Sequence, residues 1–144
     1  MPLSFSTAAQ AAWRATYAGR PGGDNTPDVS GAIVKLSVKA VADARTADTL
    51  GAEREGTGIV IDKDRGLILT IGYLVLEAAS ILVMTHDARI YPASVAGFDH
   101  ASGFGLVRAL GNLSAAIKLG DSALVRELHT VSVVAHGGAG PSLR

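Results

Sequence analysis

A chain of 144 residues has the length of one ordinary domain, or of one domain and a fragment. Thirteen Lys and Arg balance thirteen Asp and Glu, which excludes a global field that would draw the chain to nucleic acid or to an anionic membrane. Cysteine is absent, so disulfides and thiolate zinc sites are excluded as well.

Residues 6 to 18 are alanine-rich and follow Ser4 and Ser6, which can cap a helix. Ala9, Trp13 and Tyr17 recur every four residues and give a helix there one apolar face. That face either packs on the domain surface or docks a second copy of the chain. Gly19 stops the helix, and residues 19 to 30 are a Gly, Pro, Asp and Asn linker. The N-terminus lacks a basic segment and an unbroken apolar stretch, so it does not read as a signal peptide. No apolar run approaches the roughly 18 residues that span a bilayer.

From Ala32 the period changes to two. Ala32 to Val38 alternates apolar residues with Lys35 and Ser37, the pattern of a half-exposed strand. Residues 39 to 55 carry many charges and little strand signal, and read as a charged loop. Short strands are expected at 57–62, 67–71, 80–85, 90–98 and 104–110. Turn chemistry separates them at Asp62 to Gly66, at His86 to Ala88 and at Asp99 to Ser102, with a helical turn near Leu74 to Ala78. Hydrophobic residues make up 48% of the chain and aromatics 5%, which fits a compact β core of small aliphatic side chains. Six short strands with no long helix between them imply an all-β, antiparallel barrel or sandwich and exclude a βαβ fold.

The segment from Gly56 to Val107 resembles the first β-barrel of trypsin-fold serine peptidases of the HtrA (Deg) type. The resemblance rests on the order and spacing of Gly56-Thr57-Gly58-Ile59-Val60, Gly66-Leu67-Ile68-Leu69-Thr70, Asp87-Ala88-Arg89-Ile90-Tyr91, Gly97-Phe98-Asp99 and Lys118-Leu119-Gly120-Asp121-Ser122. It implies a six-stranded Greek-key barrel over residues 31–110, preceded by a helix and linker over 1–30. Residues 111–144 would then be the connection to a second barrel and that barrel's first strand. In this family an LT-x-x-H-V-V stretch carries the catalytic histidine and a D-L-A-L-L stretch the aspartate. The matching positions here are Tyr73 and Gly103. Tyrosine has an ordinary pKa of about 10 and cannot shuttle the proton that the histidine must take and return. Glycine has no side chain to hold an imidazole in one tautomer. No G-x-S-G-G loop for the serine occurs up to Arg144. A degenerate triad is therefore expected at Tyr73 and Gly103, with no cofactor and no metal.

The four histidines offer no replacement. His86 reads as a solvated turn residue. His100 stands beside Asp99, but neighbours on an extended chain point to opposite sides. His129 would precede a strand and His136 follow it, a spacing of no common zinc pattern. The run His136 to Gly140 resembles an oxyanion loop in composition, and a plain turn is expected. Tyr73 is expected to fill the volume of the lost site, or else to contact a peptide in a retained groove.

The resemblance leaves three functional readings. The chain is a catalytically inactive homologue that binds a protein partner or unfolded polypeptide; or part of a longer trypsin-like endopeptidase whose second barrel lies elsewhere; or a structural, oligomerising segment. It also implies a bacterial, extracytoplasmic setting. Residues 130–135 (TVSVVA) would be a strand with an open edge, which either packs on its own barrel or pairs with its copy across a twofold axis. The twofold pairing is the expectation, through residues 130–135 or through the N-terminal helix.

Overall fold

The computed structural model describes residues 29–129, 131, 133–137 and 140–143. Six strands close into an antiparallel barrel: β1 (Ile33–Ala40), β2 (Glu53–Asp62), β3 (Leu67–Ile71), β4 (Ala78–Met84), β5 (Ile90–Phe98) and β6 (Phe104–Ala109). Around the barrel their order is β1-β2-β3-β6-β5-β4, and β4 pairs back onto β1. The neighbouring of β3 and β6 across the β4–β5 hairpin makes the connection a Greek key, as the resemblance implies.

Period two explains the core. Val34, Leu36 and Val38 point inward from β1, and Lys35, Ser37 and Lys39 point outward. Val60, Ile68, Ile81, Val83 and Val107 meet them from the other strands, and Leu74 and Val75 close one end. Each of these side chains is almost fully removed from water, which stabilises by about 1.5–3 kcal/mol apiece before the ordering entropy is charged against it.

The expected charged loop is shorter than 39 to 55. β1 runs on to Ala40 and β2 begins at Glu53, so several of those charges stand on strands. Lys35 faces Glu55 at 2.8 Å and Lys39 faces Glu53 at 3.4 Å across the β1–β2 ladder. Lys39 stands directly opposite Glu53 and Lys35 diagonal to Glu55; opposite charges so placed across two strands favour the pairing, and propensity alone misses that. The remaining loop holds a short helix, α1 (Ala47–Leu50). A second helical turn, α2 (Gly72–Val75), starts two residues earlier than the sequence implies.

Of the strand expected at 130–135, Thr130 and Ser132 lie outside the described residues. The strand there is β7 (Val134–Gly137), and it pairs with β8 (Gly140–Leu143). The His136 amide donates to the Thr57 hydroxyl at 2.9 Å, which seats β7 on β2 of the same chain. β7 therefore already has a strand neighbour and a seat on its own barrel. Val131 and Val133 lie outside the strand and remain exposed. Residues 138 and 139, in the turn expected within His136 to Gly140, lie outside the described residues. The expected helix at 6 to 18, with Trp13 and Tyr17, lies outside the described residues.

Candidate functional site: the turn at Tyr73 and Gly103

β3 ends at Ile71 in extended geometry and α2 begins at Gly72. The Gly72 amide donates to the Gly103 carbonyl at 2.7 Å. The two sequence positions singled out, Tyr73 and Gly103, are therefore neighbours in space, brought together by the β3–β6 ladder that ends with Ile71 opposite Phe104.

Gly103 has φ of +75°. Only glycine adopts this left-handed conformation without strain, and the turn uses it to aim the carbonyl at α2. The turn is built by Asp99. Its carboxylate accepts from the Ser102 hydroxyl at 2.6 Å and from the Ala101 and Ser102 amides at 3.2 Å. The Ser102 hydroxyl, and then the two amides, hold the Asp99 carboxyl below its ordinary range. Asp99 is thus a turn-forming residue, engaged by its own loop.

Phe98 covers the other side of the turn. A Cβ at Gly72 would lie 1.9 Å from Phe98 Cε2 and 2.9 Å from the Gly103 carbonyl oxygen. The His100 ring meets the Phe98 ring edge-on, with centroids 4.4 Å apart. His100 is thereby placed against an aromatic ring, and its charge adds only the smallest of the effects that lower the Asp99 carboxyl.

Tyr73 is 38% exposed. Its hydroxyl is 3.4 Å from the Glu55 carbonyl, and the Thr70 hydroxyl donates to the Thr57 carbonyl at 2.8 Å. Glu55 and Thr57 lie on the half of β2 that β3 does not pair. Two side-chain hydroxyls thus meet carbonyls that a longer β3 would have met.

The residue that sequence reasoning missed is Arg54. It is 3% exposed and sits under the Tyr73 turn. Its guanidinium donates to the carbonyls of Gly51 at 3.0 Å, Tyr73 at 2.9 Å and Leu76 at 2.7 Å, and to the Thr46 hydroxyl at 2.7 Å. Arg54 therefore caps the α2 turn from below and ties it to the 41–52 loop. Above it, the Glu77 carboxylate accepts from the Thr46 hydroxyl at 2.6 Å and from the Thr46 and Arg45 amides at 2.9 and 3.2 Å. No sequence pattern marks this arginine, because it lies in a run of charges that reads as solvated.

The Thr46 hydroxyl, and then its amide, hold the Glu77 carboxyl below its ordinary value of 4.5; desolvation opposes them, and the Arg45 amide and the Arg54 charge add smaller effects. A carboxyl depressed in the folded state stabilises above its unfolded pKa and loses that contribution as pH falls through its folded pKa. Thermal unfolding of wild type and Glu77→Gln from neutral to acid pH should show a wild-type advantage near neutrality that closes below about pH 4.5. Parallel profiles would show that the contact is idle.

Two histidines differ from expectation. His86 is half-buried beside Gly31, where a Cβ would lie 3.7 Å from its Cε1, and its Nδ1 is buried without a hydrogen-bond partner. It therefore packs against the start of β1 instead of standing in solvent. His136 is within β7, not after it. The His129 Nδ1 accepts from the Arg126 amide at 3.3 Å. Among the described residues no cluster of His, Asp and Glu could hold a metal ion.

The family profile of the trypsin-like peptidase domain matches residues 56–144. With the closed Greek-key barrel, that match places the chain in the trypsin-like peptidase domain family. Its similarities are to the HtrA (Deg) type. The periplasmic serine endoprotease DegP of Escherichia coli (strain K12) is 36% identical over 73 residues, 49% of this chain and 15% of that protein. A probable periplasmic serine endoprotease DegP-like of Buchnera aphidicola subsp. Schizaphis graminum (strain Sg) is 37% identical over 73 residues, again 49% and 15%. Among solved structures, the HtrA-type protease AlgW with a tripeptide superposes with a TM-score of 0.68 at 16% identity, over 93% of this chain and 37% of that one. At that identity the likeness is one of fold. The chain spans about 15% of the length of the curated relatives it matches.

Proposed function

We propose that this barrel is a catalytically inactive HtrA-like homologue that works through protein contacts, with a protein partner or an unfolded polypeptide as its ligand. The observation that carries the reading is the residue pair at the turn: tyrosine at 73 and glycine at 103, where the resemblance calls for histidine and aspartate. Neither can act as the base or its orienting group. The Asp99 carboxylate, the nearest candidate for a substitute orienting group, is engaged by the Ser102 hydroxyl and by the Ala101 and Ser102 amides. The barrel does not need a triad to stand, because its stability comes from the alternating core and the closed ladder. The periplasmic relatives support an extracytoplasmic setting.

The small share of the relatives' length supports a second reading, in which the chain is one part of a longer endopeptidase of this family. One assay weighs both. Purified chain, incubated with unfolded casein beside an active HtrA-type peptidase, should leave the casein intact. Reproducible cleavage by the chain itself would overturn the inactive reading. Cleavage only by a longer gene product that contains this barrel would support the second.

A further inference from the structure

The α2 turn has a strained residue at its exit. Glu77 has φ of +52°, the left-handed region that a side chain with a Cβ enters at a cost. It stands between Leu76, which closes the turn, and Ala78, which begins β4. The loop between β1 and β2 holds it there. The Val41 amide donates to the Glu77 carbonyl at 2.9 Å. The Glu77 carboxylate accepts from the Thr46 hydroxyl and from the Thr46 and Arg45 amides. Residues 41–46 thus grip Glu77 by its backbone and by its side chain.

The grip is relayed inward. The Thr46 hydroxyl donates to Glu77 and accepts from Arg54, whose guanidinium also donates to the Tyr73 and Leu76 carbonyls. One hydroxyl therefore joins the loop to the exit of the turn through Glu77 and to its underside through Arg54. α1 hangs from the same residue, because the Leu50 amide donates to the Thr46 carbonyl at 2.8 Å. Of residues 41–50, only Ala44 is buried. Polar contacts, more than apolar packing, hold the loop down. Such an element opens at a lower free energy than a barrel held by its core.

We propose that residues 41–50 form a strap over the α2 turn, latched by the Thr46–Glu77 contact, and that strap and turn open together while the barrel stays closed. Opening removes the contacts that impose the left-handed conformation on Glu77. The residue then relaxes toward extended backbone, and the turn that places Tyr73 shifts with it. Asp43, Arg45 and Asp48 are exposed on the strap, so a contact made there has a lever on the position of Tyr73. The device does not depend on whether the barrel is a peptidase.

Amide hydrogen exchange of the full chain, read residue by residue, tests the coupling from both sides. Thr46→Val removes the latch hydroxyl from the strap. It should speed exchange of the Leu76 amide, which bonds to the Gly72 carbonyl and not to Thr46, by about tenfold or more. Glu77→Ala removes the latch from the turn. It should speed the Leu50 and Gly51 amides, which bond within α1, by a similar factor. Thr46→Ser keeps the hydroxyl and should exchange as wild type does. The double variant, Thr46→Val with Glu77→Ala, should open no further than the more open of the two single variants, because both break one contact. Amides of the β3–β6 ladder should change less than any of these. Unchanged Leu76 exchange in Thr46→Val would overturn the proposal, since the strap would then open alone. Equal acceleration along the ladder would also overturn it, since the strap would then open only with the whole barrel. Additive effects in the double variant would overturn it too, by showing two independent contacts in place of one latch.

Discussion

Arg54→Leu should destabilise the barrel by about 3 kcal/mol or more, the largest loss expected of any single side chain outside the apolar core. The guanidinium satisfies carbonyls of Gly51, Tyr73 and Leu76 and the Thr46 hydroxyl in one buried site. Leucine fills much of the volume and none of the hydrogen bonds. Three carbonyls at loop and helix ends would then compete for water that cannot reach them. Melting should fall by roughly 10–20 °C in a domain of this size. Arg54→Lys should recover less than half of the loss. An ammonium keeps the charge but cannot reach four acceptors spread around a planar fork. A leucine variant within about 1 kcal/mol of wild type would mean that solvent or the loop takes over the role of Arg54.

The second large effect is expected at Gly72→Val. The added side chain would begin 1.9 Å from Phe98 and 2.9 Å from the Gly103 carbonyl. Phe98 must swing away and the Gly72–Gly103 hydrogen bond must stretch, at a combined cost of about 3 kcal/mol. Phe98→Ala alone should also destabilise, by leaving a cavity. The double variant should be less destabilised than the sum of the two single changes, because the alanine vacates the space the valine needs. Strict additivity of the three melting curves would show that Phe98 is not what fills the space beside Gly72.

The barrel was legible in the sequence because its strands are half-buried. Val34 to Val38, Leu67 to Thr70 and Phe104 to Ala109 alternate inward and outward residues, and that alternation survives without any knowledge of partners. The strand ends were less legible. Lys39 and Glu53 look like loop residues until the ladder sets them face to face. Arg54 illustrates the same limit more sharply. Its neighbours Glu53 and Glu55 are exposed, and only the return of the chain at Tyr73 to Leu76 buries it. That is a long-range contact with no local signature. The register of β7 was missed for a similar reason: Val131, Val133 and Val134 favour a strand locally, but the seat on Thr57 places pairing at Val134 to Gly137. For the candidate site, the two positions could be read by resemblance. Their juxtaposition, the left-handed Gly103 and the Phe98 cover could not.

The proposal that the chain lacks peptidase chemistry is tested most directly by an active-site-directed fluorophosphonate, applied to wild type and to Tyr73→His with Gly103→Asp. The double variant should fold. Gly103 has open space for a side chain, with no atom within 4 Å of its Cβ, and its positive φ adds a strain of about 1–2 kcal/mol. Intact-mass measurement should find no covalent adduct on either protein, because restoring two positions of a triad supplies no nucleophile. A stoichiometric adduct on a serine of wild type would contradict the inactive reading outright. An adduct on the double variant alone would place a competent serine within these 144 residues and make the turn at Tyr73 and Gly103 a dormant active site.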